Sequence, residues 1–104
     1  MTPTRLDELV AEIGAWQDAT FCPDGEYRGA GIVAHLRKEI EELAANPRDM
    51  EEVADCVLLL IHLARQNGGG LEAAVRRKHE INKARRWGKP GPDGSIEHIR
   101  EAGE

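Results

Sequence analysis

Two pairs of acidic residues are the features of this sequence best placed to do chemistry. Glu39 and Glu42 stand three positions apart, as do Glu52 and Asp55, and residues at that spacing share one face of an α-helix. Asn46-Pro47 separates the pairs. The residue before a proline is pushed out of the helical region, so the first helix must end there. A short turn makes the flanking helices antiparallel neighbours, and the pairs lie at similar distances from it. Four carboxylates can then meet at one height. Asp55 sits among Ala54, Cys56 and Val57, and an unpaired buried carboxylate costs on the order of several kcal/mol. A cation is therefore expected. Oxygen-only ligands suit a hard ion such as Mg²⁺, with Mn²⁺ as a substitute.

The plain alternative is a solvated acidic face, and a lone E-x-x-E carries no weight. Glu41, Glu51 and Glu80 read as solvated in that way. A di-iron site is a rival for the same acids, but it draws on Glu-x-x-His motifs, and no bundle helix here carries one. His35, four before Glu39, and His62, seven after Asp55, read as core or supporting groups.

A second set lies near the C-terminus. The stripe of Leu71, Ala74 and Val75 continues at helical spacing into Lys78, Asn82 and Arg85. A face that should go on burying apolar groups instead presents two cations and an amide. A basic helix end favoured by the macrodipole is the bland reading. Trp16, on the apolar stripe of the first helix, reads equally as core or as a stacking surface.

These residues need helices to hold them. The first is expected from about Pro3 and Thr4, with a stripe of Leu6, Leu9, Val10, Ile13 and Trp16. Thr20 to about Gly31 reads as a loop. The second helix is expected over about 32–45, the third over about 48–66, and the fourth over about 71–86. The centre of the third (VADCVLLLIHLA) is apolar almost all round, which places it in the middle of a bundle. The expected architecture is an all-α four-helix bundle over 1–86. A Pro/Gly-rich tail, 87–104, is either an ordered cover or partly disordered.

Composition narrows the function. The 104 residues hold 40% hydrophobic and 4% aromatic residues, with a formal net charge of -5. That acidity argues against nucleic-acid binding, which relies on Lys and Arg. A chain this short has a modest core, so a second copy or a metal is expected to help it. Cys22 and Cys56 form no metal pair or disulfide framework by spacing. With no signal peptide and no apolar run long enough to span a bilayer, the expected compartment is the cytoplasm.

The ordered motifs resemble those of the MazG-like all-α nucleoside triphosphate pyrophosphatases, whose signature is E-E-x-x-E, a spacer, then E-x-x-D. Here it stands as Lys38-Glu39-Ile40-Glu41-Glu42 and Glu52-Val53-Ala54-Asp55. The short dATP/dGTP diphosphohydrolase branch of bacteria and phages is more similar still. Its pattern is met by Trp16, Thr20-Phe21, His35-Leu36-Arg37-Lys38-Glu39, Glu52 to Asp55, and Lys78 through Asn82 and Arg85 to Trp87. Lys38 replaces the broader group's first Glu and cannot be a ligand. That change and the shorter spacer both agree with the short branch.

The resemblance implies hydrolysis of a nucleoside triphosphate to a monophosphate and pyrophosphate, by a homodimer or homotetramer. Glu39, Glu42, Glu52 and Asp55 would hold Mg²⁺ (or Mn²⁺), with Glu39 or Glu42 as general base. Lys78 and Arg85 would neutralise phosphate oxygens, and Asn82 would add a hydrogen bond. Trp16 and Phe21 would stack on the base, a purine of dGTP or dATP. Two alternatives stay open: a sister enzyme for dUTP, dCTP or phosphoribosyl-ATP, and a non-catalytic helical dimerisation module.

Overall fold

A computed structural model describes residues 5–100. It contains α1 (Arg5–Phe21), α2 (Gly29–Ala45), α3 (Met50–Gln66) and α4 (Leu71–Ala84). Among the described residues there is no strand, only an antiparallel bridge between Trp87 and His98. The start expected for the first helix, Pro3-Thr4, lies outside the described residues. The chain divides between Glu72 and Ala73 into two compact units.

In the first unit α3 packs against both α1 and α2. The turn between α2 and α3 is tight: Asn46 N–H donates to Leu43 O at 3.0 Å, and Asp49 N–H to Asn46 O at 3.1 Å. Asp49 then caps α3 by accepting from Glu51 N–H at 2.9 Å, so the helix starts at Met50 rather than near Arg48. Glu52 occupies the third helical position, where a glutamate can reach back to the N-cap N–H. Because Asn46 already takes that N–H, Glu52 is released for another role. At its far end α3 stops in Gly68, Gly69 and Gly70, all at positive φ.

α2 begins three residues before its expected start, at Gly29. Glycines are poor helix formers, but tertiary contacts override the propensity here. Arg28 N–H donates to Gln66 Oε1 of α3 at 2.6 Å, which fixes the entry. A Cβ on Gly29 would meet the far end of the Tyr27 ring, which would have to shift to admit it.

The buried face of α1 is also displaced from the expected stripe. Gly14 and Gln17 are buried, whereas Leu6, Leu9 and Trp16 are exposed. Within this unit only α3 packs substantially on α1, so a single flank is covered. The Arg65 side chain lies over Gly14, where any Cβ would meet it. α3, expected to be enclosed, keeps Val57 and Leu60 each 47% exposed for the same reason. The buried apolar core is small: Cys22, Ile32, Cys56 and Ile61.

In the second unit the chain after α4 folds back on itself. Ile99 N–H donates to Arg86 O at 2.7 Å, Gly88 N–H to Glu97 O at 3.0 Å, and Gly91 N–H to Ser95 O at 2.8 Å. Trp87 anchors this return: its indole N–H donates to Asn82 O at 2.8 Å and its ring meets His98 edge-on. Asn82 O also takes Arg85 N–H at 3.2 Å. That diverted carbonyl explains why α4 ends at Ala84, short of Arg86.

Candidate active site

The antiparallel α2–α3 hairpin brings the two acidic pairs together. Oxygens of Glu39, Glu52 and Asp55 all lie within 4.8 Å of one another, and Glu42 is close enough to raise the proton affinity of Glu39. His35, one turn before Glu39, places Nε2 3.1 Å from Glu39 Oε1. One correction concerns Asp55, expected as the buried member: it is exposed, as are Ala54 and Val57. The buried oxygens are Glu39 Oε2 and Glu52 Oε2, and neither has a hydrogen-bond partner in the protein.

Crowding shows in the proton affinities. The hydrogen bond with Glu42 holds Glu39 above its ordinary value of 4.5; burial and repulsion from Glu42 add to this, while the His35 bond pulls the other way. Burial raises Glu52 above 4.5, reinforced by repulsion from Glu42, Asp49, Asp55 and Glu39. Cys56 is pushed up by burial and by the same acids, so it remains a thiol and behaves as a small core hydrophobe. Oxygen donors that are crowded, buried and unpartnered fit a hard divalent cation.

A second group of potential ligands differs in kind. Asp18, Cys22 and His62 also lie within 4.8 Å of one another, but they are engaged by the protein. Arg65 Nη2 donates to Asp18 Oδ2 at 2.6 Å, and Gln66 Nε2 donates to Cys22 Sγ at 3.5 Å. His62, only 3% exposed, stands 3.8 Å from Cys22 Sγ; burial lowers its pKa below 6.5 and keeps it neutral. It is a core histidine.

Beside the carboxylates opens a cavity of about 240 Å³, reached by Trp16, Gln17 and Phe21 of α1, His35 and Glu39 of α2, and Asp55 and His62 of α3. Trp16 and Phe21 meet edge-to-face with ring centroids 5.3 Å apart. The space suits one flat heterocycle next to the acids rather than a whole nucleotide. The segment after Phe21 is tied away to the end of α3: Tyr27 O–H donates to Asn67 Oδ1 at 3.1 Å, and Gln66 Nε2 to Glu26 O at 3.3 Å.

The remaining predicted residues lie in the second unit, Lys78 and Asn82 on α4 and Arg85 just past its end. Lys78, Asn82 and Arg85 share one face by their spacing; Lys78 is exposed, and the other two are half-buried. Arg85 Nη1 donates to Asn82 Oδ1 at 3.4 Å. Gln17 is the cavity residue that the sequence pattern passed over. It stands four after Ile13, so an amide interrupts the apolar stripe. The same signal singled out Lys78, Asn82 and Arg85.

An all-α chain with its acids on an antiparallel hairpin and a base-sized cavity alongside defines a MazG-like pyrophosphohydrolase. The solved structure of a Cyanophage S-2L MazG-like pyrophosphohydrolase, bound to dGDP and three catalytic Mn²⁺ ions per active site, matches with a TM-score of 0.76 and 41% identity. The match covers 94% of this chain and 100% of that one. The chain belongs to the dATP/dGTP pyrophosphohydrolase family, whose model matches residues 9–104. A curated relative, the dATP/dGTP diphosphohydrolase of Cyanophage S-2L, is 40% identical over 99 residues, spanning 93% of this chain and 90% of that protein. This protein is thus an enzyme of the pyrophosphohydrolase class. Among the described residues, no helix is long and apolar enough to cross a membrane.

Proposed function

We propose that this enzyme hydrolyses purine deoxynucleoside triphosphates, dGTP and dATP, to the monophosphate and pyrophosphate with divalent metal ions. The observation that carries this is the pair of buried, unpartnered oxygens, Glu39 Oε2 and Glu52 Oε2, beside a base-sized cavity. Glu39, Glu42, Glu52 and Asp55 would hold Mg²⁺ or Mn²⁺. Bound there, the cations supply positive charge to the phosphate oxygens and acidity to water. Glu39 or Glu42 takes the proton of the attacking water, and the His35 bond orients Glu39 for that task. Lys78 and Arg85 counter the charge that builds on the phosphates, and Asn82 adds a neutral hydrogen bond. Trp16 and Phe21 stack on the base.

The relatives act on or bind purine deoxynucleotides, which favours dGTP and dATP over dUTP, dCTP or phosphoribosyl-ATP. The exposed Val57 and Leu60 support association of copies into a dimer or tetramer. Turnover across a nucleotide panel with Mg²⁺ tests the proposal. The expected result is fastest turnover of dGTP or dATP with weak activity on dCTP and dTTP; fastest turnover of dUTP or dCTP would overturn the purine assignment.

A further inference from the structure

Among the described residues, three buried side-chain acceptor atoms have no hydrogen-bond partner in the protein: Glu39 Oε2, Glu52 Oε2 and Gln17 Oε1. Two of them belong to the carboxylate cluster. The third is the oxygen of a neutral amide, which brings no charge to offset that of a cation and stands apart from the carboxylate pairs in chemistry. Gln17 is only 4% exposed, and leaving a buried acceptor without a donor is unfavourable. A donor is therefore expected from a ligand.

The orientation of this amide follows from its neighbours. Gln17 Nε2 donates to the backbone oxygen of Leu58 on α3 at 2.9 Å. A carbonyl oxygen can only accept, so the NH₂ side must face Leu58 and Oε1 is left as the acceptor. Leu58 stands three residues beyond Asp55, about 4.5 Å along the helix axis. Gln17 is thus pinned about one turn from the carboxylates and lines the same cavity as Trp16 and Phe21. The cavity walls beside it are largely apolar: Ile13, Leu58, Leu59 and the Phe21 ring. A fixed acceptor among flat and apolar groups calls for an N–H on the edge of a planar ring.

We infer that Gln17 reads the base, its Oε1 accepting an N–H from the pairing edge of the purine: N6–H in adenine, N1–H or N2–H in guanine. The inference rests on the proposed purine nucleotide as the occupant of the cavity. It deepens that reading by naming the residue that inspects the base. Cytosine and thymine also carry N–H groups, so Gln17 sets whether a donor is required, while ring size and stacking set the preference for purines. An apolar pocket alone discriminates weakly between similar rings, whereas a site with a buried hydrogen-bonding group rejects an analogue that leaves it unpaired.

Calorimetric titration with two product nucleotides in the presence of Mg²⁺ tests this. One is dAMP; the other is purine 2′-deoxyriboside monophosphate, which lacks the amine and carries no N–H on its pairing edge. The wild-type protein should bind the analogue about tenfold to a hundredfold more weakly than dAMP. Gln17→Met keeps an unbranched chain of similar length but removes the acceptor. It should bring dAMP down to the analogue's level and change the analogue's affinity by less than about twofold, the signature of a coupled pair. Equal wild-type affinities overturn the inference without any variant. So does a Gln17→Met protein that weakens both ligands by the same factor, since that marks a purely structural role. Hydrolysis of dATP by the same samples separates the two levels. Edge discrimination without turnover sinks the proposed function and leaves Gln17 as the base reader. Turnover without edge discrimination does the reverse.

Discussion

Replacing Glu52 by Gln perturbs the carboxylate cluster with the least change in shape, and its effects on stability should have opposite signs with and without metal. Glu52 Oε2 is buried and unpartnered, and its neighbours Glu42, Asp49, Asp55 and Glu39 all oppose its charge. In metal-free protein the amide removes that charge and offers an N–H to a neighbouring carboxylate. The melting temperature should therefore hold or rise. With metal the sign reverses. Free Mn²⁺ about a hundredfold above its Kd stabilises a native state by about 2.7 kcal/mol. For a chain of about 100 residues that is a rise of about 11–22 °C. Disturbing even the outer partners of a ligand weakens metal binding about tenfold to a hundredfold, and removing a ligand should cost at least as much. The same Mn²⁺ then stands at about one to ten times Kd, which gives about 0.4–1.4 kcal/mol and a rise of about 2–11 °C. Glu51→Gln is the control: its neighbour in sequence is exposed and should keep the full metal-induced rise. Scanning calorimetry of wild type and both variants, with and without Mn²⁺, measures all of this. If Glu51→Gln and Glu52→Gln lost the same share of the rise, the geometric assignment of the cluster would be refuted.

The raised proton affinities predict a pH dependence. Glu39 and Glu52 both hold protons above 4.5, more tightly than in an unfolded chain. Wild-type metal-free protein should therefore lose stability relative to Glu52→Gln as pH rises from that value through the raised ones, while metal affinity strengthens. A difference in melting temperature that moves the other way would contradict the shift. Trp16→Ala should raise KM for dGTP about fivefold or more, on the scale of about 1 kcal/mol for a base–aromatic contact, and leave the Mn²⁺-induced melting shift alone; loss of that shift would mean Trp16 supports the fold instead. Leu60→Lys, at a position 47% exposed, should yield a smaller particle in light scattering. A wild-type protein that is already monomeric and fully active at micromolar concentration would remove the assembly proposal.

Periodicity made the helices legible, and Asn46-Pro47 made the α2–α3 hairpin legible. With the hairpin came the meeting of the two acidic pairs, since spacing on a helix and a short turn leave little freedom. What sequence could not reveal was decided between elements. α2 starts at Gly29 because Gln66 receives the Arg28 N–H, a contact across 38 residues that local propensity cannot see. Asp55 looked buried from its apolar neighbours, but burial depends on which flank of α3 meets α1 and α2. The oxygens that end up without partners are those of Glu39 and Glu52 instead. Gln17 was visible only as an interruption in an apolar stripe, and its meaning came from Leu58 O fixing the amide.

The central claim is that the carboxylates of the α2–α3 hairpin drive cleavage between the α and β phosphates of a purine deoxynucleotide. Phosphorus NMR of dGTP incubated with the enzyme and Mg²⁺ tests it most directly. The expected first products are dGMP and pyrophosphate, formed in one step, with neither appearing when Glu52→Gln replaces the wild type. Orthophosphate and dGDP as first products, or wild-type turnover by Glu52→Gln, would contradict it.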